Sequence, residues 1–402
     1  MKNVIIISTI PIVNGNIAGS SRIDKYARAL AQNSKVYLIS VDDINSLNSP
    51  FESDLPNIFY PIRNSKVAKF SLLKYILFFK RLKIKLKKEG IFEQSIFLLY
   101  PSTRTVFDFY ALFFIKIVFR KKLYYEVNEL RRTCLANRIF SKYLLRRFFE
   151  LLKYLFDSMT YILIEAFIPF FDGLIVISTN LEKYFNPLNA NIIRIPILSD
   201  VSIAENISFK AYTNTAPFKI GFFGSISYKK EGFDIFYQSI HELINEFPNI
   251  EVHLFGPINN NEKVELLKAY PTQLGFMNKL IYHGVIDQSI LMPEIRKMNL
   301  LILPRTFNEQ TRYGFSTKLS EYLVSGVPVL VTNVSDNGLY IKDGINGYLI
   351  EPGNSTLMKA KILYVIKENT KAHNLLVNSA YHTATKEFYY LNYSTKLYNF
   401  LS

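Results

Sequence analysis

Hydrophobic residues recur along this chain in two patterns, and the two alternate. Short unbroken runs rich in Ile and Val, such as residues 4–8 (VIIIS), have the pattern of a parallel strand buried on both faces. Longer stretches space apolar residues three or four apart, as in residues 21–32, where Ile23, Tyr26, Ala27 and Leu30 share one side of a predicted helix. A loop with Gly15 and Gly19 joins these two elements, and residues 36–41 form the next strand. Strand, glycine loop, helix and strand in that order open a doubly wound sheet. Residues 95–100, 122–127 and 173–178 read as further strands, with a helix over 106–119 between the first two and a long helix ending near Phe171 before the third.

Periodicity lapses over residues 199–217, where Asn206, Ser208, Thr213, Asn214 and Thr215 make the chain polar, and a linker is placed there. The alternation then restarts, with strands at 218–223, 251–255, 279–283, 300–304 and 328–332 and helices over 233–247, 262–270, 290–297 and 317–325. The expected architecture is α/β: two doubly wound, Rossmann-like domains over residues 1–205 and 206–380, facing across a cleft. A last helix, within residues 381–402, is expected to pack back toward the first domain.

Composition narrows the partners. A chain of 402 residues exceeds what one core usually organises, and 49% hydrophobic against 20% charged residues excludes a disordered protein. Forty-eight Lys and Arg against 33 Asp and Glu leave a net charge of +15, which attracts nucleic acid, anionic lipid or phosphorylated substrates. No recognised nucleic-acid-binding module frames these charges, so nucleic acid is not an expected partner. The single Cys134 excludes an internal disulfide and a cysteine-only metal cage, and suits a reducing cytoplasm. Pro11 and Asn14 interrupt the first apolar run, which reads as a strand rather than a signal peptide. No stretch reaches the ~20 predominantly apolar residues of a spanning helix. Residues 144–171 come nearest but carry Arg146, Arg147, Glu150, Lys153, Asp157 and Glu165.

Chemistry concentrates between Leu300 and Gly353. Gly314 through Thr317 feed a predicted helix N-terminus, whose free N–H groups and dipole suit a diphosphate. Lys318 falls in the first helical turn and Glu321 three residues on, on the same face. A cation for phosphates and a carboxylate for ribose hydroxyls are what a nucleotide-sugar site needs. The run GFSTKLSEYLVSGVPVL in this segment resembles the donor-binding signature of retaining glycosyltransferase family 4, particularly its polysaccharide- and lipopolysaccharide-assembly members. An amphipathic helix followed by a buried strand accounts for Leu319 and Leu323 but not for Gly314, Lys318 and Glu321 together.

The resemblance implies a GT-B fold and transfer of a sugar, with retention, from a UDP- or GDP-sugar to a glycan or lipid-linked acceptor in bacterial cell-surface polysaccharide synthesis. It implies no obligatory metal or other cofactor. The first domain would bind the acceptor and the second the donor, with Lys318 and Glu321 both donor-binding and catalytic. KIGFFGSISYKKEGFDIFY, residues 219–237, resembles the start of the family's donor domain. Gly224 there allows close backbone approach and Lys230 matches the lysine set against the donor phosphates, with Lys229 its competitor and plain solvation of both the alternative. In LIYHGVIDQ, Gly284 and Val285 offer backbone groups to the base, His283 reads as a packing residue, and Arg305 follows at the next strand's carboxyl end.

In the first domain, Gly15 and Gly19 match the loop that relatives lay over the donor phosphates, although glycines there suit any doubly wound fold. The strand KLYYEVNELRR places Glu126 where relatives put a His or an acid near the reacting sugar, making it the catalytic candidate, with Asn128 and Glu129 beside it. A strand-end carboxylate making a local hydrogen bond is the equal alternative. The stretch 165–185 also resembles the family, with Ser178 capping a helix; its expected role is structural, with Glu165 within reach of the interdomain region as the alternative.

Two departures from the family stand out. Tyr313 occupies the place eight before Glu321 where many members carry a first glutamate, and Ser225 rather than arginine follows Gly224. A nucleotide-sugar epimerase on the same fold, or a non-catalytic subunit with a decayed site, therefore remain as alternatives. Residues 66–88 interleave nine Lys and Arg with apolar residues and contain no acid. That pattern suits a helix lying on anionic headgroups, which the resemblance implies are those of the inner face of the plasma membrane, with residues 131–147 extending the patch, or a helix with one core face and one solvated face.

Overall fold

In the computed structural model, which describes residues 2–10, 18–40, 58–59, 73–102, 105–135, 144–202, 217–258, 279–368 and 370–402, the Ile- and Val-rich runs are strands paired in parallel. They build two sheets in two units, Met1–Leu198 with Tyr390–Ser402, and Ser199–Tyr389.

The first unit orders its strands β3-β2-β1-β4-β5-β6-β7. These are β1 (Asn3–Ser8), β2 (Lys35–Ser40), β3 (Ile58–Phe59), β4 (Ser95–Leu99), β5 (Leu123–Val127), β6 (Gly173–Val176) and β7 (Ile192–Arg194). Every residue of β1, β4, β5 and β6 is buried, which is why these strands show no alternation in sequence. Helix α1 (Ala18–Leu30) buries Ile23, Tyr26, Ala27 and Leu30, the four predicted positions. Ile23 and Leu30 each contribute about 1.5–3 kcal/mol by leaving water. The C-terminal segment joins this core through Leu397 and Leu401 of the helix Ser394–Leu401. The continuous helix predicted near the C-terminus is two helices, Thr370–Glu387 in the second unit and Ser394–Leu401 in the first.

Helix α2 (Leu73–Lys88) buries Tyr75, Phe79, Leu82 and Leu86, with Phe79 stacked on Phe107 at 5.6 Å and on Phe114 at 5.1 Å. Its basic residues Lys80, Arg81, Lys87 and Lys88 face solvent, so within the described residues α2 has one core face and one solvated face. Residues 66–72 of the predicted basic helix lie outside the described residues. The predicted helix over 106–119 is α3 (Thr105–Leu112), continued as a π-helical turn over Phe113–Val118. Helix α4 (Arg131–Cys134) and the long α5 (Leu144–Ala166) follow, then α6 (Thr179–Phe185), whose N-cap Ser178 accepts from Leu181 N–H.

The second unit orders β10-β9-β8-β11-β12-β13. These are β8 (Phe218–Phe223), β9 (Ile250–Phe255), β10 (Leu280–Gly284), β11 (Leu300–Leu303), β12 (Val329–Thr332) and β13 (Tyr348–Ile350). The helices α7 (Tyr228–Glu231) and α8 (Phe233–Glu246) lie between β8 and β9. The sequence did not foretell β3, β7 and β13, edge strands of two or three residues that are too short to carry a period. The predicted helix over 262–270 lies outside the described residues.

Candidate functional site

A doubly wound sheet binds ligands where its winding reverses, at the carboxyl ends of the two strands on either side. In the second unit those strands are β8 and β11. Strand β8 runs into Gly224, whose φ is +146°, and a Cβ there would lie 1.8 Å from Lys318 Cε. Only glycine leaves room for this lysine, whose Nζ sits 4.9 Å over the Phe222 ring and 3.2 Å from Glu231 Oε2. On the other side β11 ends in Pro304 and Arg305, and Arg305 reaches the same carboxylate, Nη2 to Oε1 at 3.0 Å and Nε to Oε2 at 3.4 Å. Glu231 is thus clasped between two cations that come from different elements.

Backbone chemistry sets this up. Ser227 caps α7 by accepting from Lys230 N–H, and Gly232 closes it at φ +69°. A Cβ on Gly232 would stand 2.0 Å from the Pro304 carbonyl, so glycine lets the loop touch the end of β11 and lays Glu231 on Arg305. The helix Thr317–Val324 is pinned to β8 by Tyr322, whose hydroxyl accepts from Phe223 N–H at 2.9 Å. Thr332 Oγ1 donates to the Arg305 carbonyl at 2.7 Å. Burial alone would raise the Glu231 carboxyl, but Arg305 and Lys318 outweigh it and hold its pKa at about 2. Burial lowers the pKa of Lys318, with Glu231 opposing. The cluster carries one net positive charge in a largely dry setting, which suits an anion.

Of the predicted donor residues, the structure brings Gly224, Lys318 and Arg305 together. Lys230 is half-buried next to Glu231, and its charge helps lower that carboxyl. Glu321 is half-buried on the helix of Lys318, and Thr317 begins that helix, whose N-cap Ser316 makes no side-chain cap bond. Gly314 has an ordinary φ of −83°, so its backbone does not require glycine. Gly284 takes φ +72° with open space around it, and Val285 is exposed. His283 is exposed, with its ring stacked on Phe255 at 4.1 Å and bonded to His253 at 3.0 Å. Sequence reasoning missed Glu231, whose signal was an acid directly before the glycine of YKKEG, masked by the two lysines in front of it.

In the first unit, Gly15 lies outside the described residues. Gly19 lies in the first turn of α1, where a Cβ would stand 2.8 Å from Ile10 Cδ1 and 3.3 Å from Tyr100 Oη, so glycine serves close packing. Glu126 is fully buried, and both its oxygens have partners: Arg22 Nε donates to Oε1 at 2.6 Å and Tyr26 Oη–H to Oε2 at 2.7 Å. Arg22 goes on to donate to the carbonyls of Pro196 and Ile195 at 2.6 and 2.8 Å. Burial raises the Glu126 pKa against the pull of Arg22 and Tyr26. The geometry is that of a carboxylate tying α1 to β5, the packing alternative raised by its strand-end position.

Beyond β5 a pocket is lined by Asn128, Glu129, Arg131, Tyr161, Ile164 and Glu165 among others. Behind it Asp108 is buried, accepting from Tyr125 Oη–H at 2.9 Å and Ser102 N–H at 3.1 Å, with Arg131 at 3.6 Å. Burial outweighs these partners and lifts its pKa from 3.8 to about 7. Between those two values the folded chain keeps a proton that the unfolded chain has lost, so this contribution to stability is present below 3.8 and is lost as pH rises through about 7. Asp108→Asn is expected to flatten the fall in unfolding free energy over that range, as measured by urea denaturation at several pH values. Among the described residues no group of three His, Cys, Asp or Glu has the arrangement to hold a metal ion.

With this geometry in view, the comparisons bear on the same segment. Residues 217–368 match the family model described as Glycosyl transferases group 1. The matched residues lie within the second unit. Protein CapJ of Staphylococcus aureus is 28% identical over 163 residues, 40% of this chain and 38% of CapJ, so the match spans well under half of that relative. Among solved structures, Anabaena Alr3699/HepE in complex with UDP superposes with a TM-score of 0.64 at 15% identity, over 100% of this chain and 99% of that one. Sucrose-phosphate synthase from Thermosynechococcus elongatus gives 0.70 at 12% identity, over 99% and 97%. Both units therefore have the α/β, Rossmann-like build of GT-B structures, as the sequence predicted.

Proposed function

We propose that this chain is a glycosyltransferase that takes its sugar from a UDP-linked donor held in the second unit. The observation that carries this reading is the buried Arg305–Glu231–Lys318 cluster at the point where the sheet reverses, inside the segment that matches the group 1 family. The similar Alr3699/HepE has been solved with UDP and with UDP-glucose, which favours UDP over GDP. A donor diphosphate would compete with Glu231 for Lys318 and Arg305, and these cations would stabilise the charge that develops as the sugar leaves. Glu321 would hold the ribose. Retention at the anomeric carbon follows the family 4 resemblance of GFSTKLSEYLVSGVPVL. The acceptor, a glycan or a lipid-linked sugar of a surface polysaccharide, would occupy the first-unit pocket at Asn128 and Glu129.

Titration calorimetry with UDP and GDP tests the donor assignment. UDP is expected to bind, and more tightly than GDP; binding of neither would sink the reading in favour of a decayed site.

A further inference from the structure

Helix α5 is built inside out. Its covered or partly covered positions are largely polar, with Glu150, Tyr154, Asp157, Ser158, Thr160, Tyr161 and Glu165 toward the unit and Ile164 the apolar residue buried with them. Its outward arc is apolar: Leu145 is 72% exposed, Phe149 61%, Leu155 55% and Ile162 60%, with Phe148, Leu152, Phe156 and Met159 alongside. A soluble helix does the reverse. The patch continues past α5 through Phe167, whose ring lies 5.6 Å from both Phe109 and exposed Phe170. Exposed Phe113, Ile117 and Val118 on the π-helical turn add to the unit's apolar surface. A 23-residue helix is about 35 Å long, so this surface exceeds the scattered exposed apolar residues of an ordinary monomer.

We propose that the first unit docks on an anionic lipid bilayer through α5, which lies in the headgroup region with Phe148, Phe149, Leu152, Leu155, Phe156 and Met159 turned toward the acyl chains. Charge singles out this occupant. Exposed Arg146, Arg147 and Lys153 flank the apolar arc, and Lys83 of α2 donates to the Val118 carbonyl at 3.2 Å, which brings the exposed basic row of α2 beside the apolar π-helical turn. Headgroup phosphates answer such a rim. A second copy of the chain fits less well, because a helix pair uses a narrow seam of period 3.5, and a seam through Leu145, Phe149, Leu152, Phe156, Met159 and Leu163 would leave exposed Phe148, Leu151, Leu155 and Ile162 beside it uncovered. No helix among the described residues is long and apolar enough to cross a membrane, so α5 lies on the surface. The membrane face expected at residues 66–88 is thereby reassigned: α2 supplies charge, and α5 supplies the apolar contact. Tyr161, Ile164 and Glu165 of α5 also line the first-unit pocket, so docking would bring that pocket to the bilayer; this last step alone rests on the acceptor reading above.

Vesicle flotation of the full chain at low salt is the test, with phosphatidylglycerol and phosphatidylcholine in equal parts or phosphatidylcholine alone. The chain is expected to float with the anionic vesicles, and Phe149→Gln/Leu152→Gln/Phe156→Gln to lower its partition by roughly a hundredfold. All three residues are exposed, so circular dichroism and thermal unfolding should not change. The chain has no Trp, so Phe149→Trp supplies a sole reporter, whose emission should shift to the blue on these vesicles and be quenched by brominated acyl chains. Absence of flotation, flotation that the triple substitution leaves intact, or a dimer that the triple substitution dissociates without any vesicle binding would each overturn the proposal.

Discussion

Lys318→Ala is expected to lower kcat/KM for the donor by about two to three orders of magnitude, the usual cost of removing one preorganised group that meets developing charge. The lysine is held by three things at once: the absent Cβ of Gly224, the Phe222 ring beneath it and the Glu231 carboxylate. Without it Glu231 keeps Arg305 at 3.0 Å, so the second unit should still fold, and the loss should appear in donor turnover and UDP affinity rather than in stability. A radiolabelled-donor assay of hydrolysis and transfer checks this. Full activity in Lys318→Ala would show that the phosphates sit elsewhere.

Arg22→Ala is expected to destabilise the first unit by about 3–5 kcal/mol, because it strands a buried carboxylate whose other partner is the Tyr26 hydroxyl. Arg22 also carries the Pro196 and Ile195 carbonyls, so the loss reaches the segment that follows β7. Guanidinium denaturation gives the magnitude. Glu126→Gln separates the two readings of that residue. As a packing residue its loss lowers stability while the folded fraction keeps its transfer rate; as an acid in the reaction it would abolish transfer at unchanged stability.

The sequence revealed the site unevenly, for reasons that can be traced to particular residues. Lys318 and Gly224 announced themselves because the runs that resemble the family carry them, and Gly224 is needed because any Cβ there would strike Lys318. Arg305 was visible as the residue after a buried strand. Glu231 was not, since its meaning depends on Gly232 letting the loop meet Pro304, a contact between segments far apart in the chain. Glu126 read as a candidate acid because a strand-end carboxylate looks the same in sequence whether or not an arginine from another element occupies it.

Helix α5 makes the same point from the other side. Its sequence showed a long apolar helix interrupted by charge, and nothing in that pattern says which face meets the protein. The basic run at 66–88 drew the membrane reading because charge can be counted along a chain, whereas exposure cannot.

What the sequence determined by itself is the order of the longer strands and helices, the doubly wound class and the GFSTKLSEYLVSGVPVL run, because each is encoded in local periodicity or in a short run of residues. Tertiary structure alone decided which charges are paired, which glycines hold close contacts and which helix face is left uncovered, because these depend on distances between segments that the one-dimensional pattern does not contain.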